Sequence, residues 1–394
     1  MPFTLQPAVK HDFINREDIL KEMLSTLQDE SVKMGYALVG PRRIGKTSIL
    51  KEVMRRLEKK KKRNIVLVYF SIWDLVENTL PEFCTRITLS IIDAFKPYLS
   101  LKLKIKELLK VPGLKFFEVL RSLDIKISIF DEIEITLKMG RSGEIDQNEL
   151  LEKVFSFGEK MAKENRVRLI LMIDEFPSIM DIKNKVKLGE GIIRKIRTIC
   201  ENLEYTVVCV TGSIRRTMEI AVLAPSSAFY RQFIVKNIGP FSLESTKEII
   251  ERNIGRKISE KALIKLYEIT GGIPFYLQFL GRELEKHGSQ KLDLATITAL
   301  FEEFLFQEAD ILFSEQIKSF SDKEKMIISR MAYDDFTTAA EIQKSIGESS
   351  NVVSRYMDYF LLKGVLEKEK RGRYRFIDPV FKEWLKNKFI PTNL

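Results

Sequence analysis

The chain has 394 residues, of which 65 are Lys or Arg and 55 are Asp or Glu, so its net charge is +10. This length predicts roughly two or three domains, and the modest basic excess is compatible with an acidic partner such as nucleic acid without requiring one. Three cysteines without motif spacing and only two histidines argue against a disulfide framework, a zinc site and histidine-based catalysis.

The N-terminal residues lack the basic and apolar pattern of a secretory signal. The sequence also contains no apolar run long enough to span a bilayer. We therefore expect a cytoplasmic protein that has no membrane partner.

A helix is predicted at the start of the chain, with Asn15 as its N-cap. Its apolar residues recur at helical spacing and form one face. They are Ile19, Leu20, Met23, Leu24 and Leu27.

The sequence GPRRIGKT at positions 40–47 matches the phosphate-binding pattern G-x-x-x-x-G-K-[ST]. An apolar run at 36–39 predicts a buried strand before it, and apolar residues at helical spacing follow it. Glycines let backbone N–H groups face a triphosphate, and the helix N-terminus adds partial positive charge. We expect Lys46 to reach the β- and γ-phosphates and Thr47 to bind Mg²⁺. The candidate nucleotide-binding residues here are Gly40, Pro41, Arg42, Arg43, Ile44, Gly45, Lys46, Thr47 and Ser48.

After the loop, residues 65–70 predict a second buried strand and residues 80–95 a helix. The region 97–147 is predicted to be an insertion. It contains a basic amphipathic helix at 101–111 and strict alternation at 125–129 and 133–137, which indicates a β-hairpin. The insertion is predicted either to bind a partner or to cover the core passively.

A helix predicted at 148–165 leads to a continuous apolar run at 169–173, which is typical of a strand buried on both faces. The run ends in Asp174 and Glu175, and ligands of open α/β sheets bind at this carboxyl end. We expect Asp174 to hold Mg²⁺ chiefly through water, and Glu175 to orient or deprotonate the attacking water.

A further helix at 191–203 precedes a strand at 206–213 with hydroxyls near its end. Thr211 or Ser213 is placed to sense a γ-phosphate, or is an ordinary turn hydroxyl. A fifth strand is predicted at 229–235. Arg231, near its start, is interpreted as a catalytic, phosphate-facing residue, with an exposed ion pair as the alternative.

From residue 240 the pattern becomes helical, with a Gly-Ile-Pro turn at 272–274 before a helix at 276–285. The last part predicts helices at 323–331, 339–346 and 351–363, followed by two short strands around a charged turn. Three helices and a small hairpin in this order predict a winged helix.

These motifs, in this order, resemble the archaeal P-loop ATPases of the STAND branch of AAA+ proteins. The resemblance implies an α/β P-loop NTPase core with a parallel sheet (1–239), a helical lid (240–312) and a winged-helix domain (313–394). It also implies ATP or ADP and Mg²⁺ as ligands, and a switch driven by ATP hydrolysis. Phe13, Asn15 and Arg16 are similar to the family's box beside the adenine, and Pro274 belongs to its lid turn.

Many AAA+ ATPases carry a sensor arginine in the lid, where this chain has the Gly-Ile-Pro turn. The difference predicts slow hydrolysis. Three functions remain open at this stage: a switch whose winged helix binds DNA, a switch that binds only a protein partner, and a small-molecule kinase.

The charge pattern bears on the DNA alternative. The helix that would enter the groove offers only Asn351 and Arg355 to base edges, so sequence-specific readout is poorly supported. Backbone binding through the wing remains open. The wing's candidate phosphate contacts are Lys370, Arg371, Arg373 and Arg375.

Overall fold

The structure is a computed structural model. It describes residues 3–60, 64–98, 147–184, 186–213, 218, 232–286, 292–335, 337–369 and 372–388. The helix predicted at 101–111 and the hairpin predicted at 125–137 lie outside these ranges. The role of the insertion therefore stays a prediction.

The chain divides into two compact units. The first, here called the helical unit, contains residues 1–15, 41–48 and 238–394. The second, here called the sheet unit, contains residues 16–40 and 49–237.

The sheet unit contains seven strands among its described residues. They are β1 (Gly35–Val39), β2 (Ile65–Ser71), β3 (Arg168–Asp174), β4 (Lys183–Asn184), β5 (Val186–Lys187), β6 (Thr206–Gly212) and β7 (Phe233–Asn237). Five of them form a parallel sheet in the order β2-β3-β6-β1-β7, while β4 and β5 form a separate antiparallel pair. All residues of β1, β3 and β6 are buried, which explains their continuous apolar sequences.

Gly35 begins β1 at a point of close backbone approach. A Cβ atom at this position would lie 1.7 Å from the carbonyl oxygen of Val208 on β6. Only glycine fits there, and the register that pairs Ala37 with Val210 depends on it.

The sheet is accompanied by five α-helices among the described residues. They are α1 (Glu17–Gln28), α2 (Lys46–Lys59), α3 (Leu80–Phe95), α4 (Gln147–Glu164) and α5 (Glu190–Cys200), of which α2 starts in the helical unit. Phe83 and Phe95 of α3 and Phe157 of α4 are fully buried in the core that contacts β3. Cys84 and Cys209 are buried free thiols, and burial raises the pKa of Cys209 to about 12.

The strands predicted at 36–39, 65–70 and 206–213 and the helix at 80–95 are confirmed. The helix predicted at 191–203 ends earlier, at Cys200. The fifth strand, predicted at 229–235, corresponds to β7, which starts at Phe233 among the described residues. Arg231 lies outside the described residues, so its predicted role stays a prediction.

The prediction of Asn15 as an N-cap is wrong. Helix α1 begins at Glu17 and its N-cap is Arg16, which has φ 66° and makes no side-chain cap hydrogen bond. Asn15 has φ 64°, whereas an N-cap residue is typically extended. Its side-chain amide instead donates a hydrogen bond to Oγ of Ser245.

The helical unit contains nine α-helices among its described residues, besides the first turn of α2 and a 3-10 helix (Lys10–Asp12). They are α6 (Leu243–Ile254), α7 (Glu260–Thr270), α8 (Pro274–Lys286), α9 (Leu294–Gln307), α10 (Ala309–Lys318), α11 (Asp322–Tyr333), α12 (Ala339–Ile346), α13 (Ser350–Leu362) and α14 (Pro379–Lys388). Two short antiparallel strands, β8 (Leu366–Lys368) and β9 (Tyr374–Phe376), precede α14.

The Gly-Ile-Pro turn links α7 to α8. Gly271 and Gly272 have φ of 59° and 67°, and Pro274 is the first residue of α8, where its missing N–H costs no helix hydrogen bond. A Cβ atom on Gly272 would lie 2.4 Å from the carbonyl oxygen of Phe241, so the turn requires glycine here.

The C-terminal elements follow the predicted order of three helices and two strands. Capping boxes at Ser321 and Thr338 start α11 and α12. Helix α14 was not predicted. Helix α10 spans the expected boundary at residues 312 and 313, and the domain boundaries stay predictions.

Among the helices in the described parts of the chain, none combines the length and apolar character needed to cross a bilayer.

Candidate nucleotide-binding site

The phosphate-binding loop connects β1 to α2. Its helix begins at Lys46, so the loop runs directly into a helix N-terminus, as predicted. Gly45 has φ 92°, and a Cβ atom there would meet no other atom within 4 Å. The loop is therefore curled over open space at this point, a shape that suits a phosphate group held by backbone N–H donors.

Lys46 is the cation of the loop. Its side chain is 5% exposed, and Nζ donates a hydrogen bond to the carbonyl oxygen of Pro41 at 2.7 Å. The ammonium group thus lies against its own loop. Ser48, the residue that follows the motif, accepts a hydrogen bond from the N–H of Ala8 at 3.1 Å.

Arg43 has φ 66°, and its side chain is directed to other parts of the helical unit. Its Nη1 donates to the hydroxyl of Tyr276 at 2.7 Å and lies 3.4 Å from Oδ2 of Asp378. Neither partner was predicted from the sequence, because both are distant along the chain.

The segment predicted to border the adenine is held by α6. Asn15 donates to Ser245 in the first turn of that helix. The N–H of Phe241 donates to the carbonyl oxygen of Gly272 at 2.8 Å. Residues 241–245 therefore connect Asn15 to the Gly-Ile-Pro turn that contains Pro274. Asn15 and the Gly-Ile-Pro turn, both predicted to lie near the adenine, thus belong to the helical unit.

Two other predicted residues flank Asn15. Phe13 is 9% exposed and belongs to the helical unit. Arg16 begins the sheet unit, and burial lowers its pKa to about 10. A partly desolvated guanidinium at this position remains a cation at neutral pH.

In the sheet unit, Asp174 ends β3 and is 3% exposed. Its Oδ1 accepts hydrogen bonds from Oγ1 of Thr211 and, at 3.2 Å, from the N–H of Glu175. Its Oδ2 accepts from the hydroxyl of Tyr69 at 2.8 Å. Three donors on three different segments therefore fix the orientation of this carboxylate.

Glu175 and Thr211 are brought together by the same network. Glu175 has φ 54° and precedes a 3-10 helix (Phe176–Asp181), and its N–H lies 3.2 Å from both Oδ1 of Asp174 and Oγ1 of Thr211. Thr211 is fully buried. Ser213, the alternative hydroxyl, is 6% exposed.

Tyr69 is a site residue that the sequence analysis missed. Burial, and next the charge of Asp174, raise the pKa of Tyr69 well above its usual range, so the hydroxyl stays protonated. A tyrosine inside an apolar strand gave no functional signal. Its role depends on β2 being the neighbour of β3, which the order of motifs does not reveal.

Comparison with known proteins identifies the family. Residues 13–280, more than half of the chain, match the model of an ATPase domain predominantly from Archaea. The chain belongs to this ATPase family. The recognition of an archaeal P-loop ATPase and the expectation of an ATP-hydrolysing enzyme are thereby confirmed. A search of curated protein sequences found no match to this chain.

Solved structures show the same fold. A Walker-type ATPase of Pyrococcus abyssi is 16% identical, with a TM-score of 0.68 over 98% of this chain and 100% of that chain. The ORC2 protein of Aeropyrum pernix, in its ADPNP and ADP complexes, is 12% identical, with a TM-score of 0.54 over 96% of this chain and 95% of that chain. This ATPase therefore has the P-loop α/β fold that its sequence predicts.

Proposed function

We propose that the protein is a Mg²⁺-dependent ATPase switch in which Lys46, Thr47, Asp174 and Glu175 act on one nucleotide. The observation that carries the proposal lies within the sheet unit. The N–H of Gly40, the first residue of the phosphate-binding motif, donates to the carbonyl oxygen of Gly212 at 3.3 Å. Thr211, the residue before Gly212, donates to Asp174.

Strand order supports the same assignment. Strands β3, β6 and β1 are parallel neighbours, so their carboxyl ends lie at one edge of the sheet. The phosphate-binding loop leaves that edge because it continues β1 along the chain.

The residues fit a magnesium ion. Mg²⁺ prefers oxygen ligands and usually keeps several waters beside one or two protein groups. The Thr47 hydroxyl and the oriented carboxylate of Asp174 would hold it. When bound, the ion would neutralise charge that develops on the phosphate oxygens.

The other roles follow from geometry. Glu175 adjoins Asp174, and a carboxylate there can orient the attacking water and accept its proton. Lys46 would release Pro41 and contact phosphate oxygens with its ammonium group. Because Thr211 donates to Asp174, we assign it to positioning this carboxylate rather than to sensing the γ-phosphate.

We further propose slow intrinsic turnover and coupling of the nucleotide state to a protein partner. The Gly-Ile-Pro turn occupies the position where many related ATPases carry a sensor arginine. This protein therefore has one cation fewer to stabilise the negative charge of the transition state. ATP can shift such a protein between two states only through contacts that differ between them. Phosphate release distinguishes this switch from a kinase, and a salt series of DNA binding shows whether DNA is a second partner.

The first test uses two substitutions with different expected effects. Lys46→Ala removes a charge-assisted phosphate contact worth about 1.5–3 kcal/mol and should weaken ATP binding at least about tenfold. Glu175→Gln should retain binding and lower the hydrolysis rate about 10²- to 10⁴-fold, because an amide cannot accept the proton. Titration calorimetry and phosphate release measure the two effects.

Two outcomes would contradict the proposal. If Lys46→Ala binds ATP with unchanged affinity, the loop is not the phosphate-binding site. If Glu175→Gln hydrolyses ATP at the parental rate, Glu175 is not the general base. Lys261→Ala, an exposed cation of α7, is the matched control for the lost charge. Phosphate release by the parent without any added acceptor distinguishes an ATPase from a kinase.

A further inference from the structure

The side chain of Arg43 is enclosed by three elements of the helical unit. Besides its contacts with Tyr276 and Asp378, its guanidinium carbon lies 5.4 Å from the ring centre of Phe275, 5.6 Å from that of Tyr276 and 5.1 Å from that of Phe313. Cations partly removed from water are attracted strongly by aromatic faces. The loop is therefore fastened to α8, α10 and the residue that precedes α14.

Asp378 connects this cluster to the start of α14. Its Oδ1 accepts from the N–H groups of Val380 and Phe381 at 3.0 and 3.1 Å, so it caps the helix. Its Oδ2 accepts from the hydroxyl of Tyr276 and from Arg43. One carboxylate thus serves both the helix N-terminus and the arginine of the phosphate-binding loop.

The packing of α14 involves the same aromatic side chains. Trp384 lies 5.5 Å from the ring centre of Phe313, and its Nε1 donates to Oδ1 of Asp310 at 2.7 Å. Phe313 therefore contacts Arg43 as well as Trp384. A movement of the Arg43 side chain would therefore change the packing of Phe313 against Trp384 of α14.

Burial raises the pKa of Asp378, while the hydrogen bond from Tyr276 and the charge of Arg43 act in the opposite direction. The pKa of Tyr276 is raised well above its usual range, chiefly by burial, so its hydroxyl remains a donor. The cluster is held together by these contacts, and a change in one member alters the others.

We propose that Asp378 and Tyr276 are positioning residues for the phosphate-binding loop, which act through Arg43 and couple nucleotide occupancy to the packing of α14. Arg43 is a non-glycine residue in the left-handed region, a conformation that costs free energy and persists only where surrounding contacts enforce it. These contacts keep the loop curled before phosphate arrives. Pre-ordering of this kind strengthens binding, and the coupling must be reciprocal.

The inference rests on the proposed nucleotide site, and its test starts from ADP affinity. Tyr276→Phe removes one hydroxyl and keeps the ring, and Asp378→Asn removes the charge and keeps an oxygen that can cap α14. Each should weaken ADP binding at least about fivefold in titration calorimetry. Asp335→Asn is the matched control, since the largely exposed Asp335 pairs with Lys382 and Lys386 of the same helix. It should leave the affinity within about twofold.

A double-mutant cycle separates positioning from general weakening of the fold. Arg43→Met and Asp378→Asn remove the same contact, so the double variant should bind ADP no more weakly than Arg43→Met alone. Losses that multiply would show that the two residues act independently, and that result would overturn the proposal.

Fluorescence gives a readout that does not depend on affinity. The chain has two tryptophans, so Trp384 is the only one left in a Trp73→Phe background. Saturating ADP should change its emission in this background, and Arg43→Met should abolish that change at saturation. If the parent protein does not bind ADP, both the proposed function and the proposed coupling are wrong. If the parent binds ADP, and both Tyr276→Phe and Asp378→Asn leave the ADP affinity unchanged, only the coupling is wrong.

Discussion

At the scale of single residues, the hydroxyl of Tyr69 is one of three donors that orient Asp174. Tyr69→Phe keeps the ring and removes this donor. Groups that orient a metal-binding side chain typically account for about 10- to 100-fold in metal affinity. We expect the variant to need at least about tenfold more Mg²⁺ for half-maximal ATP hydrolysis.

Tyr36→Phe provides the control for this prediction. The Tyr36 hydroxyl also makes a hydrogen bond within the sheet unit, to Oγ1 of Thr26 at 2.9 Å. Its removal should lower the free energy of unfolding by about 1 kcal/mol without changing the Mg²⁺ requirement. If both variants show the same Mg²⁺ dependence as the parent, Tyr69 has no role in positioning Asp174.

At the scale of elements, Gly35 decides how closely β1 can approach β6. Gly35→Ala would place a Cβ atom 1.7 Å from a backbone oxygen, so the strand pair would have to separate. We expect a loss of unfolding free energy of about 3 kcal/mol or more. Urea unfolding followed by circular dichroism measures it.

Gly191→Ala is the same chemical change in the first turn of α5, where a Cβ atom meets nothing within 4 Å. Here the substitution should stabilise the protein by about 0.5–1 kcal/mol, because glycine is a poor helix former. Equal effects of the two substitutions would show that the close approach at Gly35 does not limit the register.

The elements that the sequence predicted are those with strong local signals. The apolar run of β3 ends in two carboxylates, and α3 has an apolar helical repeat, so both are visible without tertiary information. The prediction for Asn15 fails because its side chain hydrogen-bonds to Ser245, 230 positions away, and its φ of 64° differs from the extended backbone of a typical N-cap.

Contacts between distant residues were not predictable in the same way. The partners of Arg43 are 233 and 335 positions away. Tyr69 can orient Asp174 only because β2 and β3 are neighbours in the sheet. Local patterns therefore located the phosphate-binding loop and the acidic strand end, whereas the residues that orient them needed the fold.

At the scale of the whole molecule, the open question is the partner. The structure changes the expectation for the wing, the β8–β9 hairpin and its turn, because Arg375 pairs with Glu367 and Glu369 of the same hairpin. Lys370 and Arg371 lie outside the described residues. Arg373 is exposed and remains a candidate for a phosphate contact, together with Arg371.

If Arg371 and Arg373 contact DNA phosphates, duplex DNA should bind with an affinity that falls steeply with salt, with a logarithmic slope of about −0.9 per neutralised phosphate. Replacing both with Ala should make the slope shallower by about two and weaken all sequences alike, since phosphate contacts position the protein without reading bases. Replacement of Lys261 and Lys265 on α7 removes the same charge elsewhere and should leave the slope unchanged. Fluorescence anisotropy across a salt series, with and without ATP, measures these slopes. Absence of salt-dependent binding by the parent at low ionic strength would favour a switch that acts on a protein partner, with the wing as part of its solvated surface.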